Sequence, residues 1–131
     1  MSHAKEPVWD EELAERLHMN AQAWDMMLEK GYAPGQKTRV EFTFIAAERA
    51  DAVKLKAALD KHEGYKVKVI NNDDEFEIAC HVEEMALSLE GINHWVTQMV
   101  QEGRKFDCTF DGWIAPLIMI SRESLKGQLV F

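Results

Sequence analysis

Four stretches of this 131-residue chain alternate apolar with polar residues, and the intervals between them carry helical spacing. "TRVEFTFI" (38–45) sets Val40, Phe42 and Phe44 against Arg39, Glu41 and Thr43. "YKVKVI" (65–70) sets Tyr65, Val67 and Val69 against lysines, and "FEIACHV" (76–82) puts Phe76, Ile78, Cys80 and Val82 on one side. "KFDCTFDGW" (105–113) alternates Phe106, Cys108 and Phe110 with Asp107, Thr109 and Asp111 until Gly112 and Trp113 break the pattern. A period of two is the mark of a strand with one buried face. Four such strands need something apolar to cover that face.

Helices supply the cover. Residues 10–30 repeat Leu13, Leu17, Trp24 and Leu28 at helical spacing, with Asp10 placed to cap the start and Gly31 and Pro34-Gly35 to stop it. Residues 47–64 are Ala-rich, with Ala50, Val53 and Ala57 as the predicted inner stripe and Gly64 as the end. Residues 84–103 carry Met85, Leu89, Ile92, Val96 and Met99 at steps of four and three, closed by Gly103. The core order is therefore βαββαβ, preceded by one helix. That order predicts an α+β, ferredoxin-like fold with antiparallel sheet order 4-1-3-2 and both core helices on one face. The chain reads as a single domain, residues 1–131. An N-terminal helix (10–30), a ferredoxin-like core (38–113) and an apolar C-terminal extension (114–131) make it up.

The alternation also fixes the uncovered face: Arg39, Glu41, Thr43, Lys66, Lys68, Glu75, Glu77, His81, Asp107, Thr109 and Asp111. Lys66 and Lys68 are expected to face Glu75 and Glu77 across the hairpin of strands 2 and 3. The acids of strand 4 have no comparable basic partner beyond Arg39 and Lys105, so they are expected to look outward. Aromatic residues of the central strands share the covered side, which removes the base-stacking platform that RNA-binding sheets of this topology use.

Charge points the same way. The net charge is -8, and a surface of that sign repels phosphate backbones, so no direct nucleic-acid binding is expected. The charge is also unevenly spread: residues 36–70 hold eight Lys or Arg against five acids, and residues 71–113 hold two against ten. No stretch approaches the ~20 apolar residues of a membrane helix, and no signal-peptide core opens the chain. A cytoplasmic protein without a membrane partner is expected.

The chemistry-bearing residues form no constellation. Asp107 and Asp111 would stand ~13 Å apart along a strand, too far to share a proton. His81 and Glu83, with Glu77 or Asp107, fall short of the ligand sets zinc prefers. Cys80 and Cys108 point inward on strands that strand 1 separates by ~9.6 Å, beyond disulfide reach. Both are expected to be free, buried thiols. No phosphate loop, nucleophile elbow or zinc-protease motif is present. The expectation is a protein that is not an enzyme, with no cofactor and no metal.

"RKFDCTFDGW" resembles the "EKFD-x-x-YDGW" segment of the regulator of ribonuclease activity B family, protein inhibitors of ribonuclease E. "AWDMMLEKGYAPGQKTRVEFTF", "GYKVKV" and "EFEIACHVEEMAL" resemble that family's first helix and strand, its "GYEV" strand, and its third strand running into the last helix. The resemblance spans about residues 20–116. It implies a ferredoxin-like fold with an added N-terminal helix, and a regulator that binds the non-catalytic C-terminal scaffold of ribonuclease E. Asp107, Asp111 and Trp113, with Glu75 and Glu77, are the partner-binding residues expected on that basis. For Trp113, packing against a helix end is an equal alternative. Where the family carries a long acidic tail, this chain ends "PLIMISRESLKGQLVF". Its apolar residues are expected to dock on the domain, add an edge strand, or make a subunit contact. The last option leaves a second functional reading, a dimeric ferredoxin-like module that binds or senses a small molecule.

Overall fold

The computed structural model describes residues 11–115 and 129–130. Helix α1 (Glu11–Glu29) leads into β1 (Lys37–Ala46), α2 (Arg49–Leu59), β2 (Tyr65–Asn72), β3 (Glu75–Ala86), α3 (Leu89–Lys105), β4 (Thr109–Ala115) and the two-residue β5 (Leu129–Val130). The strands lie in the order β2-β3-β1-β4-β5, and every pairing is antiparallel. The first four give the predicted 4-1-3-2 order read from the other edge. Of the fates open to the C-terminal extension, residues 129–130 take the edge strand, pairing Ile114 with Val130 and Ala115 with Leu129. The remainder of the extension and Asp10, the expected cap of α1, lie outside the described residues. No helix among the described residues is long and apolar enough to cross a membrane.

The covered face follows the alternation. Val40, Phe42, Phe44, Ile78, Cys80 and Phe110 are buried beneath the helices. Trp95 of α3 stacks on Phe42 with ring centroids 6.1 Å apart, and Phe44 meets Phe110 edge-on at 5.5 Å. Gly103 lets α3 come down onto this layer. A Cβ there would sit 2.7 Å from the Cys108 carbonyl oxygen and 3.0 Å from the Phe44 ring, so no larger residue fits without a shift. Helix α1 packs on α3 rather than on the sheet centre, and Arg16 reaches across to donate to the Phe110 carbonyl (2.9 Å) above the Phe110 ring.

Before the last strand, the elements differ from the sequence reading in four places. Strand β3 runs to Ala86, and α3 begins only at Leu89, because Ser88 caps it by accepting from the Gly91 N–H at 2.9 Å. Helix α2 buries Ala52, Leu55 and Leu59, and leaves the predicted stripe of Ala50, Val53 and Ala57 facing out. In α1, Leu28 is exposed, and Ala23 and Met27 take the inner positions with Leu13. The β2–β3 hairpin turns on two residues, Asp73 and Asp74, with Asp73 at φ 57°. This register sets Lys66 opposite His81 and Lys68 opposite Ala79, not opposite Glu77 and Glu75, which face Ile70 and Asn72. Lys66 instead approaches Glu83 at 3.9 Å.

Candidate functional site

The segment "KFDCTFDGW" is not one strand. Lys105 ends α3, Phe106 caps it, and Asp107 takes the left-handed conformation at φ 58°. The Cys108 N–H donates to the Gly103 carbonyl (2.9 Å) and the Asp107 N–H to the Arg104 carbonyl (3.4 Å). This is the paired closure of a Schellman motif, in which one residue past the cap must turn left-handed. Asp tolerates that conformation better than most residues. The strand proper starts at Thr109.

Two residues later the pairing slips. Phe110 pairs with Phe44 and Gly112 with Thr43, so Asp111 has no partner on β1. One extra residue on one strand is a β-bulge, and Gly112 accommodates it at φ 148°. The bulge explains the break in alternation. Phe110 and Trp113, three residues apart, both turn to the covered face and are 2% and 1% exposed. The Trp113 Nε1–H donates to Asn20 Oδ1 at 3.0 Å, and Asn20 Nδ2 donates to Asn93 Oδ1 at 2.9 Å. Trp113 thus ties β4 to α1 and α3. As folded, its side chain offers a partner almost no surface, and the expectation that it makes contact is replaced by its alternative, a core position.

The other four candidates gather at one end of the sheet. Glu77, Ile45 and Thr109 form one row across β3, β1 and β4, which spans two strand spacings, ~9.6 Å. Asp107 precedes this row on the α3–β4 connection, Asp111 follows it in the bulge, and Glu75 opens β3 beside Asp73 and Asp74. Asp107, Asp111 and Glu75 are exposed and Glu77 is partly so. No ion pair engages any of the four among the described residues. Lys105 pairs with Glu102 at 3.3 Å. Arg39 lies at the far end of β1, six residues from Ile45 and so ~20 Å away. The result is an acidic end without local neutralisation.

On the face turned away from the helices, the stretch between these acids and the far end holds small residues that are buried, Ala79 at 1% and Thr43 at 7% exposure, although alternation placed Thr43 on an open face. Ala79, Thr43 and Gly112 form its central row, and the Thr43 hydroxyl donates to the Gly112 carbonyl at 3.2 Å. Nε2 of His81 lies 3.0 Å from Glu41 Oε1 across the β1–β3 pair, off the line of a good hydrogen bond. Phe42 and Phe44 are fully buried on the opposite side and Phe76 half-buried, so this face presents no aromatic stacking platform. No group of three or more His, Cys, Asp or Glu among the described residues could hold a metal ion. Cys80 and Cys108 are free and buried. Burial pushes their thiols up to about 12 and about 11, with Asp60 adding to the first and Asp51 and Asp107 to the second. Neither is primed as a nucleophile, which needs a depressed pKa and access.

Arrayed carboxylates at a sheet end, with no nucleophile beside them among the described residues, are suited to binding through charge. No curated protein matches the sequence significantly. The family described as regulator of ribonuclease activity B matches residues 17–114, from within α1 to within β4 and thus the whole βαββα core, and the chain belongs to that family.

Proposed function

We propose that this protein is a non-catalytic, cytoplasmic regulator that binds the C-terminal scaffold of ribonuclease E and alters RNA decay without contacting RNA itself. Asp107, Asp111, Glu75 and Glu77 form its binding end. The observation that carries the reading is their convergence at one end of the sheet, from two non-adjacent strands and a helix-closing turn, with no cation among the described residues paired to them. A basic, extended scaffold segment is the complement such a surface would steer and hold, and the attraction should weaken with salt.

The test is calorimetric titration of the full chain with that scaffold at two salt concentrations. The comparison is a variant carrying Asp107→Asn, Asp111→Asn, Glu75→Gln and Glu77→Gln. Asn keeps the left-handed turn at position 107, so charge changes while the turn remains. Exposed charge pairs contribute about 0.2–1 kcal/mol each, so four together should weaken binding about tenfold and flatten the salt dependence. Equal affinity for the two proteins would remove the acidic end from the interface. Absence of binding by the unsubstituted chain at low salt would remove the scaffold as partner.

A further inference from the structure

The sheet is closed differently at its two edges. At one, β5 covers part of β4; at the other, β2 pairs only with β3 among the described residues. The β2–β3 register runs through eight consecutive pairs without a shift, so β2 is regular along its length and contains no proline. Its outer backbone N–H and C=O groups form a template for another strand.

The surroundings of that edge are specific. On the covered side, a recess of about 530 Å³ lies between α2 and β2. Val53, Val69 and Phe76 give it an apolar floor, and Arg49, Lys56 and Lys68 a basic rim. Val53 is 45% exposed, although it sits in a helix whose other large apolar residues are buried. On the uncovered side a second recess of about 250 Å³ is lined by Lys66, Val67, Lys68 and His81. Lys68 stands between the two. Lys56 is paired with Asp60 at 2.6 Å, whereas Arg49 and Lys68 have no acidic partner among the described residues. Residues 49–72 hold six Lys or Arg against three Asp or Glu, in a protein of net charge -8.

We propose that β2 and the α2 groove take up an acidic, extended segment of a partner protein, which adds to the sheet as a sixth strand. Its backbone would satisfy the open edge. Its apolar side chains would enter the Val53–Val69–Phe76 recess, and its carboxylates would meet Lys68 and Arg49. This is strand addition, in which the main chain supplies affinity and pockets for alternate side chains supply specificity. A nucleic acid brings the right charge but no peptide groups for the edge. A second copy of this chain is a poorer complement, because its β2 carries Lys66 and Lys68 and no acid to meet them. The groove lies on the covered side of the sheet, away from Glu77, and the proposal does not depend on the ribonuclease assignment.

The test uses the full chain and a fluorescent seven-residue peptide alternating glutamate with valine, followed by anisotropy at low salt. Binding is expected to weaken about tenfold or more in Arg49→Glu/Lys68→Glu, with the thermal midpoint unchanged because both positions are exposed. A lysine–valine peptide should not bind. The same acidic peptide N-methylated at every residue should lose binding, since its backbone donors are gone. The variant neutralised at Asp107, Asp111, Glu75 and Glu77 should bind the peptide at least as well as the original. No binding of the acidic peptide, equal binding of the N-methylated one, or indifference to the Arg49/Lys68 reversal would each overturn the proposal. So would a stable dimer by sedimentation whose dissociation follows that reversal.

Discussion

Replacing Trp113 with Phe tests whether this residue is a core anchor or a contact. The indole is 1% exposed and its N–H is given to Asn20, itself 2% exposed. Phenylalanine would keep one ring in place and remove the donor. Leaving Asn20 Oδ1 unpaired in a buried site costs about 1–3 kcal/mol. The ring is smaller by ~40 Å³, and at ~24 cal/mol per Å³ of cavity this adds ~1 kcal/mol. The expected loss is about 2–4 kcal/mol, read by urea denaturation with far-ultraviolet circular dichroism, since the substitution alters fluorescence. Adding Asn20→Ala completes a cycle. The two single losses should exceed the double loss by about 1 kcal/mol, because Trp113→Phe orphans the Asn20 acceptor, Asn20→Ala orphans the indole donor, and the double variant has neither group left to orphan. A loss below ~0.5 kcal/mol for Trp113→Phe, or strict additivity with Asn20→Ala, would refute the anchor. Loss of partner binding with stability intact would return Trp113 to the surface.

Three further outcomes are expected. Gly103→Ala places a methyl 2.7 Å from the Cys108 carbonyl oxygen and should cost about 1–3 kcal/mol in the same denaturation assay. Asp107→Gly relieves the left-handed backbone and removes an acid from a helix C-terminus, so it should gain about 0.5–1 kcal/mol; Asp107→Val should instead destabilise. Above pH 9 the protein should lose stability progressively. The Cys80 and Cys108 thiols are raised from 9.0 to about 12 and about 11, so their contribution is complete below the unfolded value and is lost as pH climbs through the folded ones. A pH series of thermal midpoints, compared with Cys80→Ala, would show that slope reduced in the variant.

Much of this architecture was legible because β1 and β3 alternate without interruption through Phe42, Phe44, Ile78 and Cys80, and a single parity fixed which face the helices cover. The errors arose where two periods fit the same residues. Met85 lies four before Leu89 and so extended the α3 stripe on paper, but it belongs to β3; Ser88, a strong capping residue, was the signal that the helix starts later. In α2 both Ala50/Val53/Ala57 and Ala52/Leu55/Leu59 satisfy helical spacing, and the larger leucines decide which side is buried. The acidic end was half legible. The exposure of Asp107 and Asp111 followed from alternation, yet Asp107 owes its position to a helix closure that mimics a strand. The Trp113–Asn20–Asn93 chain joins three elements distant in sequence, and no local pattern announces such a contact.

The bulge at Asp111 has a consequence for how β4 tolerates change. Asp111 occupies no rung of the ladder: Phe110, Gly112, Trp113 and Ile114 meet Phe44, Thr43, Phe42 and Glu41, four consecutive residues of β1. Deleting it would therefore turn β4 into a regular strand in which Phe110, Gly112 and Trp113 keep the partners they have. The indole would stay on the covered side with its N–H directed at Asn20, and β5 would keep its attachment at Ile114 and Ala115. A one-residue loss is thus absorbed at Asp111, whereas the same loss from a regular strand would exchange the inside of the protein for the outside.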